Sequence, residues 1–192
     1  MAVDIQKIKD QVLSDQRAAD FRNVKCGNWP KYWASEISTL HPQVAAMLFG
    51  PFEIRDHLVN GQWIHIGTPA FDKLERAHLQ QAVSVLSMGG AKVVFFTSPY
   101  YDEGEQLDGS PWPEDDPARV NRLNKLLREV AATHPGRVSV INLGGYLSPG
   151  GHYASVVRGV TVRTSSDIHV TSAGAAMLAP LVFPQIVRLA QP

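Results

Sequence analysis

The amino-acid sequence predicts a three-layer α/β/α domain built on a parallel sheet. Three short apolar runs, residues 44–49, 93–96 and 138–141, carry no charge and have the length of strands buried on both faces. Long segments with apolar residues every three or four positions separate them, so strand and helix alternate along the chain. Each run gives way to a loop, starting at Gly50, Thr97 or Asn142. In parallel α/β folds the loops after the C-terminal ends of the strands carry the chemistry.

The elements follow in order. Ile5, Ile8 and Val12 recur at helical spacing and predict an amphipathic helix over residues 5–21. A second helix opens at Pro30, places Trp33, Ile37 and Leu40 on one face and is broken by Pro42. After the first strand, Asn60-Gly61 between Leu58-Val59 and Trp63-Ile64 signals a hairpin, because both residues tolerate the positive φ of a type I′ turn. Thr68-Pro69 starts the next helix, with the hydroxyl as cap and proline at the first helical position. Phe71, Leu74, Ala82, Val83 and Leu86 form its inward stripe, and Gly89-Gly90 ends it.

The second strand runs into a long loop, residues 98–116, rich in proline, glycine and acidic residues. Asp116-Pro117 starts another helix with Val120, Leu123, Leu127 and Val130 facing inward. His134-Pro135-Gly136 stops it ahead of the third strand. A second glycine-rich loop leads to a closing helix, residues 171–189, expected to bend or split at Pro180. No repeat or linker interrupts this succession, so residues 1–192 read as one domain.

Composition narrows the function. The chain has 192 residues, 44% of them hydrophobic and 19% charged, which excludes global disorder. Eighteen Lys+Arg balance eighteen Asp+Glu, so there is no bulk attraction for nucleic acid or anionic lipid, and neither is expected as a partner. The single cysteine, Cys26, excludes an internal disulfide framework, and the seven histidines lack metal-ligand spacing. No phosphate-loop pattern, no G-x-G-x-x-G after a strand and no G-x-S-x-G elbow occurs, so neither a metal nor a nucleotide cofactor is expected. The first twenty residues hold no continuous apolar stretch, so no signal peptide is expected. Residues 170–187 are uncharged but hold Pro180 and Pro184, and are expected to be too short and broken to span a bilayer. As written, the chain is expected to stay in the cytoplasm.

Two segments could carry chemistry. Asp167-Ile168-His169 lies just ahead of the closing helix. A carboxylate two residues from a histidine can orient the imidazole and stabilise its protonated form, as a general base for a hydroxyl nucleophile requires. In the alternative, Asp167 or Thr171 caps the helix and His169 is a packing residue. Gly50-Pro51-Phe52-Glu53-Ile54-Arg55-Asp56 leaves the first strand with three charges in four residues. A glycine there lets backbone N–H groups approach a ligand, as an oxyanion hole needs. In the alternative, Glu53 and Arg55 are solvated or paired with each other. The hydroxyls and rings of Thr97-Ser98-Pro99-Tyr100-Tyr101 can line a pocket or pack as a lid.

Taken in order, several segments resemble the SGNH (GDSL-type) hydrolase family, in particular the extracytoplasmic SGNH domains fused to bacterial membrane O-acyltransferases. They are Cys26-Gly27-Asn28-Trp29 with Trp33, residues 50–56, residues 61–67, Thr97-Ser98-Pro99-Tyr100, residues 119–124 and residues 162–174. The resemblance covers residues 26–192 and leaves 1–25 as a helical N-terminal segment. It implies a flavodoxin-like sheet, a serine nucleophile in a Gly-Asp-Ser motif after the first strand, and a D-x-x-H motif before the last helix. His169 matches the family histidine, Ser166 stands where the aspartate belongs, and Asp167 sits one residue late. Gly50, Phe52 and Glu53 correspond to the oxyanion-hole block.

No Gly-Asp-Ser occurs in the sequence, and the first strand–helix unit of the fold has no counterpart in it. The resemblance therefore implies an ester hydrolase or O-acyl-transfer domain for an O-acylated glycan or similar small ester, incomplete as it stands. The competing expectation is a non-catalytic module that binds a glycan or a protein. In either case residues 44–49 are expected to form an exposed sheet edge, through which the chain pairs with itself or with a partner chain. As a fragment of a longer exported or membrane-anchored protein, it would lie outside the cytoplasm.

Overall fold

The computed structural model describes residues 28–191; the expected helix over residues 5–21 and Cys26 lie outside them. Helix α1 (Trp29–Leu40) leads into strand β1 (Val44–Leu48), followed by the hairpin β2 (His57–Val59) and β3 (Gln62–Ile64). Then come α2 (Pro69–Leu86), β4 (Lys92–Phe96), α3 (Pro117–Ala132) and β5 (Val138–Ile141). A short helix α4 (Leu143–Leu147), a hairpin of β6 (Val156–Val157) and β7 (Val160–Thr161), and helix α5 (Ser172–Ala190) complete the chain.

The local signals act as the sequence predicts. Thr68 accepts the Phe71 N–H at the start of α2, and Asp116 accepts the Ala118 N–H at the start of α3. Each fills one of the donors that a helix start leaves open. Asn60 and Gly61 turn the hairpin at φ 51° and 77°.

Strands β1, β4 and β5 form a parallel sheet in that spatial order. Val44 lies opposite Lys92 and Leu48 opposite Phe96, while Val93 lies opposite Val138 and Phe96 opposite Ile141. The three parallel neighbours therefore stand side by side in chain order, as successive crossovers of one hand produce. Among the described residues, β1 is one edge of the sheet. The expected three-layer α/β/α architecture holds.

Alternation along the strands builds two cores. Val93 and Phe95 of β4 pack with Ile37 of α1, Leu79 and Val83 of α2, and Leu123 and Leu127 of α3. Phe96 turns to the other face, against a cluster of Leu143, Leu147, Val157, Val162 and Leu178. Helix α5 covers that second face but leaves much of itself bare, with Phe183 62% and Val187 54% exposed. It is also the one described helix long and apolar enough, by length and composition, to cross a membrane.

Helix α5 corrects two expectations: it runs unbroken through Pro180 and Pro184, so neither proline splits it or its apolar stretch. Pro180, Pro184 and Ala176 all lie on its exposed side. The carbonyls left without an N–H partner there can turn to water, which a helix absorbs by bending.

Candidate functional site

The polar face of α3 organises the loops at the C-terminal ends of the strands. Asn124 holds the Ser98 backbone on both sides, its Oδ1 accepting the Ser98 N–H (2.8 Å) and its Nδ2 donating to the Ser98 carbonyl (2.9 Å). One turn earlier, Asn121 accepts the Tyr100 hydroxyl (2.7 Å). Arg119 reaches the turn after β1, donating to the Ile54 carbonyl (2.9 Å) and to Asp56 (2.6 Å). Asp56 also pairs with His65 Nδ1 (2.7 Å).

The loop after β4 is locked to β1. Ser98 Oγ and the Tyr101 hydroxyl both donate to the Phe49 carbonyl, at 3.0 and 3.3 Å. Thr97 Oγ1 donates to Asn142 and accepts the Gly144 N–H. Gly144 is needed there, because a Cβ would stand 2.4 Å from the Ser98 carbonyl oxygen. Thr97, Ser98 and Tyr101 are buried, so their groups hold the frame; of the pair of tyrosines, Tyr100 alone is part-exposed.

After β1, residues Pro51–Ile54 form a 3₁₀ turn. The Gly50 N–H, the expected oxyanion donor, instead donates to Glu53 Oε2 (2.9 Å). Burial pushes the Glu53 carboxyl above its usual range, although that N–H favours its charge. Phe52 is 53% exposed, and the Arg55 guanidinium lies over its ring, 4.6 Å from the centroid. Arg55 does not pair with Glu53: it is held by Glu103 (3.3 Å) and by the buried Glu114.

The His169 loop arises where the chain turns back between β7 and α5. Arg163 and Val170 form an antiparallel bridge, and the intervening residues close through Thr164 N–H to the His169 carbonyl (3.0 Å) and Asp167 N–H to the Thr164 carbonyl (2.9 Å). His169 is half-buried at the rim, and Thr171, the next residue but one, caps α5 by accepting the Gly174 N–H.

The expected orienting contact differs. His169 Nδ1 lies 3.0 Å from Ser166 Oγ, whereas Asp167 accepts the Tyr153 hydroxyl. Asp167 has a left-handed backbone, φ 54°, which turns its side chain off the path taken by Ser166. A three-residue spacing to the histidine decides which side chain meets the ring, and the position one later points elsewhere. Sequence reasoning noticed Ser166 as a missing aspartate but not as the ring's partner. It places Asn124 and Arg163 inside matching segments without giving either a role, and passes over Tyr153, since a single polar residue does not announce its distant partner.

No group of three or more His, Cys, Asp or Glu side chains among the described residues could hold a metal ion. The arrangement offers a histidine whose Nδ1 meets a serine hydroxyl, on a loop that Arg163 ties to the loop after β4.

Fold and site together define a three-layer α/β protein whose candidate residues lie on the turn after β1 and on the loop between β7 and α5. The chain belongs to the family described as "Protein of unknown function (DUF459)", which it matches over residues 14–185. No curated protein matches it. Its fold is similar to a solved structure titled "BT4096 a gut microbial diltiazem-metabolizing enzyme", with a TM-score of 0.50 and 17% identity over 81% of this chain. The match spans 35% of that protein, so this chain corresponds to about a third of its length.

Proposed function

We propose that this chain is the acid–base part of an SGNH-type ester-hydrolase or O-acyl-transfer domain, acting on an O-acylated glycan or similar small ester. The observation that carries the reading is the contact of His169 Nδ1 with the hydroxyl of Ser166, three positions upstream, on a loop that Arg163 ties to the loop after β4. His169 is the base, Ser166 orients its ring, and the serine nucleophile comes from a strand–helix unit outside the described residues. A solved neighbour titled as a metabolizing enzyme supports catalysis over a purely structural role. In an exported or membrane-anchored protein, the domain would meet such glycans outside the cytoplasm.

The reaction then follows from ordinary acyl transfer. The incoming serine oxygen attacks the ester carbonyl while His169 removes its proton; the same proton passes to the leaving alcohol as the acyl-enzyme forms. Water or an acceptor hydroxyl repeats the sequence in reverse, with His169 again taking and returning the proton. For the Gly50 N–H to reach the oxyanion, Glu53 must give it up.

A specific set of contacts favours the second reading, a non-catalytic glycan- or protein-binding module. The Gly50 N–H is engaged by Glu53, and His169 Nδ1 meets the Ser166 hydroxyl at the position where the resemblance expects an aspartate. The isolated chain is expected not to turn over p-nitrophenyl acetate above a His169→Ala control, nor to react with a fluorophosphonate probe. Stoichiometric labelling would overturn the claim that the nucleophile lies elsewhere. Fusing a Gly-Asp-Ser-bearing strand–helix unit ahead of the chain should produce turnover that depends on His169. If it does not, the binding module stands.

The unit would sit beside β1. That strand shows Ala46 and Leu48 to solvent, and an open edge offers unpaired backbone N–H and C=O groups to another strand. Without the unit, the purified chain is expected to self-associate at micromolar concentration, seen as a concentration-dependent sedimentation coefficient. A monomer that stays monomeric and unfolds cooperatively would show that this edge needs no partner.

A further inference from the structure

Arg163 is among the most buried charged residues described, 3% exposed, yet it makes no ion pair among the described residues. Its guanidinium instead spans two loops. Nη1 donates to the Ile168 carbonyl (3.1 Å), next to His169, and Nη2 donates to the Tyr100 carbonyl (3.1 Å) in the loop after β4. It lies 5.9 Å from the centre of the Tyr153 ring, whose hydroxyl is held by Asp167. Its Nε is buried with no hydrogen-bond partner among the described residues.

A buried cation without a bonded carboxylate is costly, so its position calls for an explanation. Two carbonyls on separate loops supply it. The diverging N–H groups of a planar fork meet both at once from two nitrogens held in fixed geometry, where an ammonium has one nitrogen on a flexible stem. The Tyr100 loop is itself fixed, since Tyr101 and Ser98 bind the Phe49 carbonyl and Asn121 and Asn124 bind the loop from α3. Continuity therefore runs from Gly50 through Phe49, the Tyr100 loop and Arg163 to Ile168 and His169. Asp167 belongs to this arrangement: its carboxylate faces Arg163 electrostatically and does not serve the imidazole.

We infer that Arg163 is a positioning residue, which sets the His169 ring relative to the β1 and β4 loops by bracing the Ile168 and Tyr100 carbonyls. Without it, both part-buried carbonyls lose this donor, and the loop between Arg163 and Val170 loses its tie to the loop after β4. The functional meaning rests on the reading of His169 as the base. The test reads the ring rather than turnover, so the two fail separately.

The experiment compares imidazole ¹H–¹⁵N correlations and amide exchange in the full chain, with His169 assigned from His169→Ala and its bonded signature from Ser166→Ala. In Arg163→Met, the His169 Nδ1 signal should move to its Ser166→Ala value. The Thr164 and Asp167 amides should exchange roughly tenfold faster or more, while those of α3 stay protected. Arg163→Lys should recover part of both changes, because one carbonyl can still be met. His169 signals and loop exchange unchanged in Arg163→Met would overturn the inference. If Arg163→Met does not fold, Arg163→Lys decides: faster exchange confined to residues 164–169 supports the inference, and an unchanged or molecule-wide pattern overturns it.

Discussion

Replacing Asp72 by alanine is expected to lower stability by about 3 kcal/mol, because it strips the acceptor from three donors at once, each loss costing about 1 kcal/mol or more. Asp72 sits in the first turn of α2, 4% exposed. It accepts the Gly67 N–H (3.0 Å) and binds Arg122 of α3 through both Nε (2.9 Å) and Nη2. Three donors converge on one carboxylate, joining two helices and the loop that feeds α2. Alanine leaves all three without an acceptor, the costly half of the hydrogen-bond asymmetry. For a domain of this size the melting temperature should fall by about 6–12 °C. Removing Arg122 as well, by Met, should recover part of the loss, because the unpaired cation then disappears. A double mutant no more stable than Asp72→Ala would refute the ion pair as the source.

The pH dependence of stability should carry the mark of Glu75. This carboxyl is buried on α2 at 4% exposure, and burial first, then the charge of Glu53, pushes it from 4.5 to about 7. The nearest cation candidate is His78, whose Nδ1 stands 4.0 Å away. Burial and the charge of His57 lower the pKa of His78, so it is neutral where Glu75 ionises.

The sign follows from proton counting. Between pH 4.5 and 7 the folded chain keeps a proton that the unfolded chain has released, so stability is full below pH 4.5 and falls as the pH rises toward 7. The loss approaches roughly 3 kcal/mol at one proton and 1.36 kcal/mol per pH unit. Glu53, raised in the same direction by burial, adds to it. Asp56, below its ordinary value despite burial because Arg119 and His65 bind it, acts oppositely and at lower pH. Glu75→Gln should match the parent near pH 4.5 and exceed it at pH 8 in urea midpoint. Parallel profiles for the two proteins would show that Glu75 ionises freely in the folded chain.

How much of this was legible beforehand depended on whether a signal was local. Thr68-Pro69, Asp116-Pro117 and Asn60-Gly61 are capping and turn chemistry written into adjacent residues, and each acts where the sequence puts it. The β6–β7 hairpin was missed because its turn is Arg158-Gly159, at φ 51° and 77°, without the Asn-Gly pair that announces such turns. Helix α4 went unread because its five residues, Leu143–Leu147, are too few to display a period.

By itself the sequence determined that three apolar runs alternate with amphipathic helices, that the chain is neutral, and that a histidine sits just before the last helix. These follow from short-range spacing, which one chain read in order contains in full. Tertiary structure alone decided that Ser166 rather than Asp167 meets the His169 ring, that Glu53 takes the Gly50 N–H, and that Arg163 bridges Ile168 to Tyr100. The reason is geometric. A left-handed residue at 167 reverses which neighbour faces the ring, and the Arg163–Tyr100 contact joins positions 63 residues apart, brought together by the parallel sheet.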